Sequence, residues 1–356
     1  MYFGNMKKKI ISLLLVVVLM LIIVAAGCVN PTYETTADRV VVDMSGTNVT
    51  IPSEVDSVVN LWPASNAVML CMGAGDKLVG TTTFTKSLYW AQFVYPEIVD
   101  VPIATDNAEE LLALDPDLII TPQKATAETL REAGLPAVYL MFTDYDSMKK
   151  AFTILGGILG DEYAEKAAKW SQLVDDNIAE VTAAIGDIPE DEKPVVYYIQ
   201  GQTNQGLYAT FSADSIMNDW VTIGGGVFAS KLLNLTGTTA SAEEVLALNP
   251  DVVIIGGPAQ HELYDELMSS DEWEDINAVK NGRVYTNPNG LFPWERFGME
   301  SALQIKFAAS VIHPELYQVD LVAEVQDFYR EFVGIELTKQ QAQYMIDGYG
   351  PNGEDY

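Results

Sequence analysis

Apolar and polar positions in this chain fall into two alternating patterns, amphipathic stretches with helical spacing and short unbroken runs of branched apolar residues. The clearest instance occurs twice. Residues 108–120 read Ala-Glu-Glu-Leu-Leu-Ala-Leu-Asp-Pro-Asp-Leu-Ile-Ile, and residues 242–254 read Ala-Glu-Glu-Val-Leu-Ala-Leu-Asn-Pro-Asp-Val-Val-Ile. Each copy predicts a short helix with an acidic first turn, stopped before Pro116 or Pro250, that feeds a buried strand. A duplicated helix-strand unit predicts two α/β lobes of one design.

The rest of the chain fits around that repeat. Residues 39–52 predict a hairpin, with Gly46 at its turn, and residues 56–61 a first core strand that gives way at Trp62 to a helix through Met72. Strands follow at 78–80, 118–120 and 137–140. Residues 162–185 hold Ala164, Ala167, Ala168, Leu173, Val174, Ile178 and Val181 at helical spacing, which predicts one long helix of roughly 36 Å between the lobes. The second lobe repeats the programme with strands at 195–199, 252–254 and 284–285, and helices at 214–223, 301–312, 321–333 and 338–346. Strands alternating with helices at this spacing make each lobe a doubly wound, mostly parallel sheet. The expected organisation is a first lobe over 39–160, a connecting helix over 161–186, and a second lobe with terminal helices over 187–356.

The amino terminus belongs to neither lobe. Lys7, Lys8 and Lys9 precede an apolar run of 15 residues, Ile10 to Val24, and Ala25-Ala26-Gly27 leads into Cys28. This is the pattern of a secretory signal over residues 1–27, and its apolar run is shorter than the roughly 20 residues of a spanning helix. Small residues before a lone cysteine resemble a lipobox, in which Cys28 carries the lipid and residues 28–38 form a polar tether. The formal net charge of −30 becomes −33 once the three lysines of the leader are removed, because the leader holds no acid. Such a surface repels nucleic acid and anionic lipid and suits a partner that presents cations, or a salty medium. Cys71 lies in an apolar segment and reads as packing, so disulfides play no part.

Catalytic groupings are missing. His261 and His313 are the only histidines, neither has the i, i+4 partner of a metal helix, and no nucleophile elbow or phosphate loop occurs. Gly224-Gly225-Gly226 follows a helix and reads as a stop signal. In parallel sheets ligands bind beyond the carboxyl ends of the strands, which makes the loops there the candidate site. From the first lobe these loops bring Trp62, Ser65, Thr82, Thr83, Phe84, Gln123 and Lys124, and from the second Gln200, Gln202, Tyr208, Asn287, Asn289, Trp294 and Arg296. Aromatic faces interleaved with amides, hydroxyls and two cations suit a bulky, polar, anionic small molecule, with Lys124 or Arg296 on its oxygens. The alternative is that Trp62 and Trp294 cover their own lobes and Arg296 pairs internally with a carboxylate such as Glu300.

The lipobox, the segment Val40-Val41-Val42-Asp43 with Gly46 and Ile51-Pro52, the run from Met72 to Gly80, both repeats and Ile312-His313-Pro314-Glu315-Leu316-Tyr317 together resemble the substrate-binding lipoproteins of iron-siderophore, haem and vitamin B12 importers. The resemblance covers essentially the whole chain after the leader. It implies a bilobal fold braced by a helix, with little hinge motion, and an extracytoplasmic lipoprotein that is no enzyme. Such a protein, a monomer without a cofactor of its own, hands a metal chelate, most simply a ferric siderophore, to an ABC permease and its ATPase. It also implies that Glu109 and Glu243, one per lobe, dock onto arginines of the permease. Corrinoid, haem and a molybdate-type oxyanion are the alternative cargoes; an α/β enzyme, or a surface sensor or adhesin, would be a different use of the same fold.

Overall fold

The computed structural model describes residues 38–202 and 206–355; the leader, Cys28 and most of the tether lie outside the described residues. The hairpin is present: β1 (Arg39–Val42) pairs antiparallel with β2 (Asn48–Ile51). Asp43 at its turn is buried and binds the hairpin to the first lobe, accepting from the backbone of Ser45, Thr47 and Tyr139 and pairing with Arg131 at 3.1 Å. Burial alone would raise the Asp43 carboxyl, but these hydrogen bonds hold it below its usual range.

In the first lobe β3 (Val58–Asn60), β4 (Leu78–Gly80), β5 (Leu118–Thr121) and β6 (Ala137–Tyr139) form an all-parallel sheet in the order β4-β3-β5-β6. In the second, β7 (Val195–Gln200), β8 (Val227–Phe228), β9 (Val252–Gly256) and β10 (Val284–Thr286) form another in the order β10-β9-β7-β8. Counted within each lobe, both sheets run second, first, third, fourth. The duplication seen in sequence is therefore a duplication of topology, and each sheet switches direction between its first and third strands.

The structure also explains why the repeat is conserved between the lobes down to Pro-Asp. Its helices, Ala108–Leu114 and Ala242–Leu248, end on Asp115 and Asn249, both left-handed, with φ of 45° and 51°. The proline then blocks further helix, and the aspartate after it reaches back to the start of the lobe's first strand. Asp117 Oδ2 accepts from the backbone of Asp56 and Ser57 at 2.9 Å, and Asp251 Oδ2 from Val195 at 2.9 Å.

Alternation along the strands divides the core. Val58, Ile120, Val138, Val196, Tyr198, Val252 and Ile254 belong to one continuous cluster that runs through both lobes, while their neighbours Val59, Ile119 and Ala137, or Tyr197, Ile199, Val253 and Ile255, fill a separate outer cluster on each sheet. The connecting helix, Asp161–Ile185, joins that shared core through a stripe of buried residues: Tyr163, Ala167, Trp170, Val174, Asn177, Val181 and Ile185. It is locked to the helix Ser301–Ile312, with Trp170 Nε1 donating to Met299 O at 2.6 Å and Asn177 Nδ2 to Ala302 O at 2.8 Å.

The sequence places the terminal helices with the second lobe, but the chain crosses back. Leu321–Phe328 continues as a π-helical turn, Tyr329–Val333, and Lys166 of the connecting helix donates to both Met72 O and Phe332 O at 2.8 Å. Beyond the helix Lys339–Ile346, Tyr349 O accepts from Trp90 Nε1 of the first lobe at 2.9 Å.

Candidate ligand-binding site

The loop after β3 and the helix after β4 in the first lobe meet the loop after β10 in the second at the junction of the lobes. Beneath the loop after β3 lies a buried polar network: Asn60 Nδ2 donates to Ser65 Oγ at 3.0 Å, Asn66 Nδ2 to Asn60 O at 2.9 Å, and Thr81 Oγ1 to Asn66 Oδ1 at 3.0 Å. Every group in it is inside. Ser65 thus supports the loop from below and has no surface for a ligand, a correction to its placement by sequence. Its hydroxyl is used by Asn60, a strand-end amide with no signal of its own in the sequence.

What this network presents outward is Trp62. Its ring lies 4.3 Å from Phe142 of the same lobe and 6.2 Å from Phe297 of the second. Nearby, Thr82 caps the helix Thr83–Ser87, its hydroxyl accepting from Thr85 N at 3.2 Å, and the exposed Phe84 of that helix meets Phe292 edge to face at 6.3 Å. Thr83, Gln123 and Lys124 are exposed; Lys124 stands 3.9 Å from Glu128 on its own helix, a surface pair that leaves its charge in water.

On the second lobe the strand ends come unusually close. Gly201 N donates to Gly256 O at 2.5 Å, and a side chain on Gly201 would collide with that carbonyl, so glycine is required there. Gln200 and Gln202 flank this contact and are partly exposed. Tyr208 turns the other way: its hydroxyl donates to Glu272 Oε2 at 2.8 Å and its ring lies 5.8 Å from Trp273, in the outer cluster. Burial and the Glu272 carboxylate raise its hydroxyl to about 12. Tyr208 thus packs against the outer cluster of the second lobe.

The loop 287–300 carries most of the polar chemistry. Asn287 is buried, donating to Glu295 Oε2 at 2.9 Å and accepting from Gln304 Nε2 at 2.9 Å; its backbone donates to Gln260 Oε1 at 3.1 Å. Trp294 is wholly buried and Asn289 nearly so. These three residues shape the loop from within, a correction to their placement as contacts. Glu300 is buried too, accepting from Leu291 N at 2.8 Å, Phe292 N at 3.3 Å and the Tyr329 hydroxyl at 2.5 Å. Burial raises its carboxyl to about 7 although all three donors pull it down. A side chain on Gly290 would displace this carboxylate.

Arg296 does pair internally, but with its neighbour Glu295 and not with Glu300. Its Nε donates to Glu295 Oε1 at 2.9 Å, and its guanidinium carbon lies 6.0 Å from the ring centres of both Phe211 and Phe292. The side chain keeps 23% of its surface, whereas that of Glu295 keeps none. Burial opposes the guanidinium charge, but Glu295 and Tyr198 beside it raise the pKa above its ordinary value. The structure thus brings together Trp62, Phe84 and Arg296 from the sequence reading. It adds Phe142, Phe211, Phe292, Phe297 and Glu295, whose only sequence signal was the adjacency of Trp294, Glu295 and Arg296. A cavity of about 580 Å3 bounded by Tyr264, Tyr285 and Tyr349 is a different place, since its walls come from the second lobe and the terminal segment alone.

The two histidines are structural. His261 stacks on Tyr349 at 4.1 Å, and His313 Nε2 lies 3.1 Å from Gly225 O. Among the described residues no group of three or more His, Cys, Asp or Glu side chains could hold a metal, and no helix is long and apolar enough to cross a membrane. Cys71 is free and buried. Glu109 and Glu243 are exposed in the first turns of the two repeat helices, capped by Asn107 and Ser241.

A family model described as periplasmic binding protein matches residues 58–291. The chain belongs to that family. As a periplasmic binding protein it is the solute-binding component of an ABC transporter, and its relatives and fold are those of binding proteins rather than enzymes. The substrate-binding lipoprotein YvrC of Bacillus subtilis, an ABC transporter component described as uncharacterized, is 26% identical over 314 residues, 82% of this chain and 94% of its own. The molybdate-binding protein MolA of Haemophilus influenzae is 23% identical over 339 residues, 85% of this chain and 92% of its own. A periplasmic solute binding protein from Veillonella parvula superposes with a TM-score of 0.75 at 26% identity, over 87% of this chain and 97% of that one. Cargo varies among the binding protein's relatives, which include cobalamin-binding and Fe(3+)-citrate-binding proteins.

Proposed function

We propose that this binding protein captures a ferric siderophore-like chelate between its lobes and passes it to the permease. The observation that carries the reading is the setting of Arg296: a partly exposed guanidinium between Phe211 and Phe292, close to where Phe84 and Trp62 of the first lobe meet Phe292 and Phe297 of the second. Aromatic faces suit the organic shell of a chelate, and one cation suits an anionic oxygen on it. A bare oxyanion would gain little from a wall that is mostly apolar. The metal is cargo held by its own chelator, so the protein needs no metal ligands. In the same reading Cys28 carries lipid that anchors the protein outside the cell membrane, and Glu109 and Glu243 face arginines of the permease. A thermal-shift screen of the protein against ferric chelates, haemin, cyanocobalamin and molybdate tests the cargo. Stabilisation by a ferric chelate supports the reading; stabilisation by molybdate or cyanocobalamin alone replaces it. Mass spectrometry of the mature amino terminus tests the lipid, and an unmodified Cys28 refutes it.

A further inference from the structure

Arg296 is held through one nitrogen. Its Nε donates to Glu295 Oε1 at 2.9 Å, and among the described residues neither Nη group has a hydrogen-bond partner. A guanidinium has two usable edges, one through Nε and one spanning both Nη groups. Glu295 occupies the first, which leaves the second as a two-pronged donor in the plane of a carboxylate.

Glu295 is itself fixed. It has no exposed side-chain surface, and its other oxygen accepts from Asn287 Nδ2 at 2.9 Å. Asn287 is held in turn by Gln304 and Gln260, and Gln260 donates to Gly348 O at 3.2 Å. Rotation of the carboxylate would break this chain of buried hydrogen bonds, so the direction of the arginine fork is set from beneath. The pair also carries no net charge. Attraction at this spot comes from the directed N–H edge more than from an excess of positive charge, which favours a flat two-oxygen group over a tetrahedral dianion.

We propose that Glu295 is a positioning residue that turns the Nη edge of Arg296 to the cleft and so selects ferric chelates bearing a free carboxylate. The inference rests on the chelate reading above. Calorimetry with ferric citrate, and with ferrichrome as a neutral trihydroxamate without carboxylate, tests it on the full-length protein and the Glu295→Gln and Arg296→Lys variants. The wild type should bind ferric citrate at least about tenfold more tightly than ferrichrome. Both variants should lose about 10- to 100-fold for ferric citrate, the range of a charged hydrogen bond, and change less than about twofold for ferrichrome. Arg296→Lys keeps the charge and the Glu295 network but lacks the fork, so it decides the matter if Glu295→Gln fails to fold. Equal binding of ferric citrate by wild type and Arg296→Lys, or an equal loss of both chelates, overturns the inference while the chelate reading stands. If the wild type binds neither chelate, both fall.

Discussion

The hydroxyl of Tyr329, on the π-helical turn, donates to Glu300 Oε1 at 2.5 Å and so ties the terminal segment to the loop that carries Arg296. The same carboxylate accepts from the backbone N–H groups of Leu291 and Phe292, so it organises the loop directly. Tyr329→Phe removes the side-chain donor and leaves a buried carboxylate short of a partner. It should cost about 2 kcal/mol in urea unfolding; a loss below about 0.5 kcal/mol would mean that the hydrogen bond contributes nothing net.

Glu300 predicts a pH dependence of definite sign. Its carboxyl rises from 4.5 to about 7 on folding, so between those values the folded chain binds more protons than the unfolded one. Its contribution is most favourable at or below pH 4.5 and declines as the pH rises to 7, by roughly 3 kcal/mol at most. Glu300→Gln has no proton to lose. The stability of the wild type relative to that variant should fall across this window, and a difference that is flat or rises with pH would contradict the assignment.

Gly156 and Gly157 are neighbours in the helix Tyr145–Leu159 with opposite expectations. A Cβ on Gly156 would lie 2.6 Å from Tyr163 O, whereas one on Gly157 would meet nothing within 4 Å. Gly156→Ala should destabilise by about 2 kcal/mol, because the backbone of the connecting helix must move away. Gly157→Ala should stabilise by about 0.5 to 1 kcal/mol, the usual gain of alanine over glycine in a helix. Thermal unfolding of the two single variants checks the contrast.

Glu109 and Glu243 are exposed, so replacing them should leave folding and ligand binding unchanged. On the docking proposed above, the Glu109→Lys, Glu243→Lys double variant should nevertheless lose uptake in whole cells, because lysines would then face arginines. Normal uptake would return both glutamates to the dipoles of their helices.

Periodic features were legible in the sequence. The repeat predicted two lobes, and the pattern over 162–185 predicted a helix found at Asp161–Ile185. Helical and strand spacing states which way residues face, and the buried stripe from Tyr163 to Ile185 follows it. Loops carry no such period. That is why Ser65 and Trp294, whose chemistry suits a contact, are wholly buried, and why only tertiary packing sets Phe142 and Phe297 beside Trp62. The alternative pairing of Arg296 with a carboxylate such as Glu300, one helical turn on, gives way to Glu295, because the residues between Arg296 and Glu300 are not helical and Glu295 is nearer.

The return of residues 329–349 to the first lobe has a consequence for synthesis. A chain leaves the ribosome amino terminus first, so even β6, the last strand of the first lobe, ends 190 residues ahead of Tyr329, where the segment that covers Trp90 and accepts from Lys166 begins. The first lobe cannot bury that surface on its own during elongation; it stays open until the last part of the message has been read. A nascent chain stalled before Tyr329 should therefore remain sensitive to protease in residues 63–94, and lose that sensitivity only when the terminal helices are added.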